Sequence, residues 1–527
     1  MIKINGLFWG ALFFVAAAGQ AQAQSADNND TEISALKQKL RLMEQKLDKL
    51  QKQTVANTTA AANANAKADA QVKFVNANAA LPIKGPVAPS DVVVKMPNNR
   101  PTICTADDQN CISITSRLHF DVGGYDYRPN TAATTPQSLD NGFNARRARI
   151  GLVGKFMGDW NYALIYDFAG SSDGFASTAS AGGTAVGFLP GGGLSGIENA
   201  YLSYTGFKPF GGKLAIEGGY MDLPYTIDEA MSSNDILFME RSSAQVIAVN
   251  IAAGDIRSTV GARWYNDRFW MGAYATGPAG GAIHSASSVN PNGTSEQAGA
   301  VVRAAGQVVS GKDYSLHLGA DAEFLIAPAK NQITGAQTLT LSDRPELRID
   351  PTAIVSTGAL AGVSGAQVYS AEAAGTYGPL FFQGEYYRYN VDRGALPGLT
   401  SVKFDGGYAQ ASYVLTGETR IYNSASAAYN GIQPANPFSL SGGGWGAWEI
   451  AGRISTIDLN DQLATANGVA GGRQTIFTAG LNWYVNGNIR FMFDYLHGNI
   501  AKQVSPTNTG DAGTKFDAFA MRTQVAF

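Results

Sequence analysis

From about residue 116 to residue 527 the chain repeats one pattern: bulky apolar side chains on every second position, small or polar ones between them. In Trp160-Asn161-Tyr162-Ala163-Leu164-Ile165-Tyr166-Asp167-Phe168, the even positions are apolar and Asn161, Ala163 and Asp167 alternate with them. The segment closing the sequence reads Phe519-Ala520-Met521-Arg522-Thr523-Gln524-Val525-Ala526-Phe527, with bulky residues at 519, 521, 525 and 527. A period of two is a β-strand with one greasy and one wet face. Repeated over more than 400 residues with short turns, it predicts a closed antiparallel barrel whose apolar face meets lipid. No run of 18 apolar residues occurs beyond the N-terminus, which excludes a helical membrane protein.

Composition fits that reading. The 61 glycines and 47 Tyr plus Phe suit many tight turns and aromatic girdles, and charged residues are only 15%. The hairpins can be read directly. Ala148, Ile150, Leu152 and Phe156 alternate with Arg147, Arg149, Val153 and Lys155 before the turn Met157-Gly158-Asp159. Phe477, Ala479, Leu481 and Trp483 pair with Ile489, Phe491, Phe493 and Tyr495 across Asn486-Gly487-Asn488. The expected fold is all-β: a transmembrane antiparallel β-barrel of about 16 strands over 116–527. Gly/Ser/Ala-rich stretches at 170–195, 277–297 and 423–445 are expected as extracellular loops.

The N-terminal part has its own organisation. Residues 1–23 read as a signal peptide: Lys3, an apolar stretch from Leu7 to Ala18, then Ala21-Gln22-Ala23. Ile33, Leu36, Leu40, Met43, Leu47 and Leu50 then form a heptad seam, so 31–53 is expected to be a short helical coiled coil. Residues 54–115 read as a periplasmic linker holding a local disulfide between Cys104 and Cys111, because an exported chain meets an oxidising compartment. Two thiolates without a nearby His make a poor metal site.

Several segments resemble the phosphate-selective porin O and P family. They are Asn144-Ala145-Arg146-Arg147-Ala148-Arg149-Ile150-Gly151, Gly158-Asp159-Trp160-Asn161-Tyr162, and Ser232-Ser233-Asn234-Asp235-Ile236-Leu237-Phe238-Met239-Glu240-Arg241. Tyr377-Gly378-Pro379 with Gly384-Glu385-Tyr386-Tyr387, Gly446-Ala447-Trp448-Glu449-Ile450-Ala451-Gly452-Arg453, and Gly480-Leu481-Asn482-Trp483-Tyr484 follow in family order. The resemblance implies a 16-stranded trimeric outer-membrane porin that passes phosphate or polyphosphate along lumen arginines and a lysine cluster. One segment departs from the family: Gly219-Tyr220-Met221-Asp222 carries an acid beside the position where the family often has lysine.

Strand parity places Arg147, Arg149, Lys155, Arg263, Arg303, Arg348, Arg453, Arg490 and Arg522 in the lumen, and the motif adds Arg241. These are the candidate solute-binding residues, since guanidinium groups replace part of an anion's hydration shell. Acids share the lumen by the same parity: Asp167, Asp321, Glu323, Glu346, Asp350, Glu449 and Asp494. Arg453 is expected to pair with Glu449; for Arg241 the alternative to solute contact is a Glu240–Arg241 pair that fixes an inward loop. Residues 1–115 hold 12 of the 39 basic and 9 of the 42 acidic side chains, so the barrel body has an acid excess of about six. Only four histidines occur, and no nucleophile elbow, phosphate loop or zinc-protease motif is present.

The expected function is therefore passive diffusion of small hydrophilic solutes through an outer-membrane porin, with modest preference for anions such as phosphate or polyphosphate. A general weakly selective porin, or a non-conducting barrel tethered to the periplasm, are the alternatives. No enzyme activity, cofactor or nucleic-acid partner is expected. The expected partners are outer-membrane lipid, two further copies in a homotrimer, and small anionic solutes.

Overall fold

The computed structural model describes residues 91–129, 138–169, 196–253, 257–279 and 295–527. The signal peptide and coiled coil lie outside these residues, as do most of the expected loops 170–195 and 277–297.

Sixteen antiparallel strands close into a barrel. In chain order they are Cys111–Pro129, Gly142–Phe156, Trp160–Asp167, Gly196–Phe207, Lys213–Met221, Arg257–Tyr265, Phe269–Ala279 and Ala298–Ser310. The second half comprises Tyr314–Ala327, Gly365–Tyr377, Leu380–Asp392, Val402–Val414, Ala447–Asp461, Val469–Tyr484, Ile489–Ala501 and Thr514–Ala526. The last strand pairs with the first, Arg522 opposite Asp121, so no edge is left open to lipid. Alternation does what it should: Phe477, Phe493 and Phe519 are exposed on the outer wall, while Ile476, Asp494 and Ala520 are buried.

Turn chemistry agrees with the strands. Met157 and Gly158 both have positive φ, 50° and 75°, in the three-residue turn that joins Phe156 to its partner Trp160. At the turn 485–488, Asn486 Oδ1 accepts from the amides of Asn488 (2.8 Å) and Ile489 (2.9 Å).

Residues 92–115 are not a linker. Val92–Lys95 and Thr102–Thr105 form two short strands that pair onto the start of the barrel strand at Cys111. The barrel therefore begins five residues before the boundary expected at 116. Cys104 and Cys111 are opposite one another in this hairpin and are joined by a disulfide. At the tip, the Gly158 amide donates to Gln109 O (2.9 Å) and Asn99 Nδ2 to Asn488 Oδ1 (2.6 Å). The hairpin thus belongs to the end of the barrel that carries the short turns and the C-terminus.

A second correction concerns residues 415–446. The stretch 423–445 reads in the sequence as an extracellular loop, like 170–195 and 277–297. Residues 415–446 instead join two strands at the short-turn end, where Phe438 N donates to Val485 O (2.7 Å) and Leu415 N to Trp448 O (2.7 Å). Gly and Ser content marks a loop but not the end from which it leaves.

Candidate functional site

Three segments turn into the lumen instead of leaving it open. From the long-loop end comes 222–253, which contains the single-turn helix Ile227–Ala230 and the helix Ser243–Ala252. From the same end the segment between Thr338–Asp343 and Val355–Ala361 brings in Leu347 and Ile354, both buried. From the short-turn end comes 415–446, whose two-residue strands Tyr422–Asn423 and Ala428–Tyr429 lie inside. Ser242 caps the longer helix by accepting from Gln245 N (3.3 Å), and Glu346 accepts from Ser243 N (2.9 Å). A carboxylate at a helix N-terminus is favourable for both.

Most of the lumen arginines hold these segments in place. Arg303 pairs with Asp321 (3.3 Å) and Glu372 (2.9 Å), and also donates to the carbonyls of Pro224, Ser426 and Ala427. It therefore clamps segments from both ends at once. Arg490 donates to the carbonyls of Asn234, Ile236 and Leu237. Arg522 makes two 2.7 Å bonds to Asp121 and one to Glu240 (2.7 Å).

Several expected partners differ. Arg453 pairs with Glu346 (2.7 Å), not Glu449. Glu449 instead meets Arg420 of the 415–446 segment (3.0 Å). Glu240 does not pair with Arg241 but with Arg146 (2.8 Å) and Arg522; Arg241 reaches Glu229 (3.3 Å) and the Asp228 and Met231 carbonyls. Burial alone would raise the Glu240 carboxyl, but the guanidiniums of Arg146, Arg522 and Arg147 hold it well below the usual carboxylate range. Arg348 is not on a wall strand. It lies in the inward segment after Asp343, to which it pairs at 2.6 Å.

A cavity of about 310 Å³ remains, bounded on one side by the strands from Cys111 to Phe207 and on the other by the two main inward segments. Five arginines line it, Arg117, Arg147, Arg149, Arg241 and Arg263, against four carboxylates, Glu198, Asp222, Glu229 and Asp235. Arg149 is held by Asp167 (2.8 Å) and Glu198. Arg263 pairs with Glu217 (3.2 Å). Among the described residues, Arg117 donates to the hydroxyls of Ser233 (2.5 Å) and Ser232 (3.0 Å) and forms no ion pair within 4 Å. Arg147 is 4% exposed and touches His119 Nδ1 at 3.4 Å; its Nε has no partner, and it forms no ion pair among the described residues. Lys155 faces inward but opposite Cys111, toward the short-turn end and outside the cavity lining.

Several arginines inside the barrel escaped the sequence reading, among them Arg117, Arg146, Arg257 and Arg420. Arg117 shares the parity of His119 and Asp121, so its signal was present. Arg146 was hidden by a register shift: His119 pairs with Arg147 and Phe120 with Ala145, so Arg146 is skipped and both arginines point inward. The segments from opposite ends meet beside the cavity, where Arg420 Nη1 donates to Asp235 O (2.6 Å). At Gly431 a Cβ would stand 2.5 Å from Asp235 Oδ1, so a larger residue there must push the Asp235 carboxylate aside.

The model of a family described as "Phosphate-selective porin O and P" matches residues 112–527. Over 213 residues the chain is 31% identical to a protein of Caulobacter vibrioides described as uncharacterized, covering 40% of this chain and 39% of that one. Over 166 residues it is 30% identical to Porin O of Pseudomonas aeruginosa, covering 30% of this chain and 35% of that one. The chain thus spans somewhat more than a third of the length of these relatives. Among solved structures, OmpT, an outer membrane protein of Vibrio cholerae, aligns with a TM-score of 0.45 at 10% identity, covering 80% of this chain and 98% of that one.

Proposed function

This chain belongs to the phosphate-selective porin O and P family, and from that premise we propose a passive outer-membrane channel for small hydrophilic solutes with a modest preference for anions. The observation that carries the anion preference is Arg147, a buried guanidinium that lines the cavity and forms no ion pair among the described residues, the nearby Glu240 being taken by Arg146 and Arg522. Arg117 adds a second charge whose hydrogen bonds go to hydroxyls, with Glu198, Asp235 and Asp222 near enough to offset part of it. A buried cation without a counter-ion is costly, and a passing anion supplies one.

The preference is modest because Arg149, Arg241 and Arg263 are already neutralised by acids, and Asp222 and Asp235 also face the cavity. Phosphate and polyphosphate are the solute class that this reading favours. The channel performs no chemistry on what it passes. Loop length gives the orientation: short turns, the disulfide hairpin and the residues before it on the periplasmic side, long loops outside. The functional unit is a homotrimer.

Planar-bilayer recording of the purified full chain tests the reading. In a potassium chloride gradient the reversal potential is expected on the anion side, and replacing chloride by phosphate is expected to lower the current without abolishing selectivity. A cation-selective channel overturns the arginine reading in favour of the acid excess of the barrel body.

A further inference from the structure

The outer wall changes character along one line. On the strand Leu380–Asp392 the outward positions run Leu380, Phe382, Gly384, Tyr386 and then Arg388. On the strand Val402–Val414, read toward the same end, they run Tyr413, Ala411, Ala409 and then Asp405 and Lys403. The next two strands switch at Asp458 and Arg473, below which Ile454 and Phe477 are exposed. These switch points are neighbours in register: Arg388 faces Asp405, Asp405 faces Asp458, and Asp458 faces Arg473. Beyond Arg473 the row ends at Ala501; His497, Asp517 and Asp126 form a separate in-register row that reaches the first barrel strand. Among the described residues, the outward positions of the strands from Gly142 to Tyr377 carry no charge toward that end.

The row is built. Arg388 Nη1 is 3.2 Å from Asp405, and Arg473 Nη2 is 2.5 Å from Asp458. Two like charges face each other at its centre, which is unfavourable unless each is held by a cation. The flanking guanidiniums do this and keep their remaining N–H groups outward. Lys403, one outward step beyond Asp405, makes no side-chain bond among the described residues.

A sharp change from apolar to charged on a lipid-facing wall marks where hydrocarbon ends and headgroups begin. Arg and Lys at that depth meet phosphate oxygens. We propose that Arg388, Lys403 and Arg473 form a docking site for the phosphorylated headgroup of an outer-leaflet glycolipid, on one sector of the barrel only. The inference uses the orientation proposed above; it is independent of which solute crosses the lumen.

The test uses the full chain in mild detergent, titrated with lipid A and followed by native mass measurement. The wild type is expected to retain lipid A. The triple variant Arg388→Gln, Lys403→Gln, Arg473→Gln is expected to bind about tenfold more weakly. Arg388→Lys with Arg473→Lys keeps the charges and is expected to keep most of the binding, which separates headgroup recognition from damage to the wall. Inorganic phosphate at millimolar concentration is expected not to displace the lipid. Equal retention by the triple variant, displacement by phosphate alone, or loss of the oligomer with lipid binding unchanged each overturns the proposal. A triple variant that still conducts with wild-type selectivity but has lost lipid A supports the site and leaves the porin reading untouched; a wild type that conducts and binds no lipid A sinks the site alone.

Discussion

Arg420 and Glu449 are joined at 3.0 Å with neither side chain exposed, and this pair ties an insert from the short-turn end to the barrel wall. Tyr484 Oη donates to the same carboxylate at 2.6 Å and Ser412 Oγ at 2.7 Å, so the acid is fully engaged. The aperture of the lumen therefore depends on a contact that does not itself line the cavity, although Arg420 also donates to the backbone of Asp235, which does.

Breaking this pair should loosen the insert. Arg420→Ala leaves Glu449 buried without its cation, a change that costs about 3–5 kcal/mol in comparable buried pairs. The expected outcome is a lower melting temperature together with larger and noisier single-channel conductance. Unchanged conductance would show that the insert does not narrow the path.

Arg147 should matter for selectivity and Arg453 should not. At ~6 Å and an effective dielectric of ~20, one guanidinium attracts a monovalent anion by roughly 2–3 kcal/mol before salt screening. Arg147→Ala is expected to lower the anion-to-cation permeability ratio by about two- to fivefold in dilute salt, with less effect at 1 M. Arg453 is occupied by Glu346 and the Glu240 carbonyl, so Arg453→Ala is expected to reduce stability while leaving the ratio near wild type. Reversal potentials of both variants decide the matter.

How far the sequence reached is visible in these two residues. Period two placed both in the lumen, and the structure agrees. It could not say which acid meets which arginine. The near candidate for Arg453 was Glu449, four residues before it, but the acid that arrives is Glu346, 107 residues away on a segment folded in from the long-loop end. Strand parity is local information, while partners inside a barrel are delivered by loops whose trajectories alternation does not encode. Arg146 shows the same limit in reverse, since one skipped register pair moves a residue from the wall to the lumen.

Acidification should weaken the Glu240 cluster. Its carboxyl is depressed in the folded protein, so the stabilisation it gives is present above the unfolded value of about 4.3 and is lost as pH falls toward the folded one. Glu240→Gln is expected to flatten the acid limb of a melting-temperature profile measured between pH 7 and pH 3. An unchanged limb would place the acid sensitivity elsewhere.

Thiol labelling of the unreduced, denatured protein is expected to find no free cysteine, because Cys104 and Cys111 close the hairpin that extends the first barrel strand. Two labelled thiols would contradict the bridge.

Assembly has a direct readout. Native mass measurement in mild detergent is expected to give three copies, and removal of residues 31–53 to weaken but not abolish the trimer. A monomer under those conditions would refute it.

The inward segments fill one side of the barrel and leave the cavity against the strands from Cys111 to Phe207. On the proposed route, transport is an off-centre walk along a wall, not a fall down an axis. A solute on such a route keeps one flank on a fixed lattice of side chains and the other on loops. The rigid flank carries Arg117, Arg147, Arg149 and Arg263, while the loop flank carries Arg241 and three of the four acids, Asp222, Glu229 and Asp235. On that route the wall sets the positive field, and the loops set both how far it is neutralised and how wide the passage is.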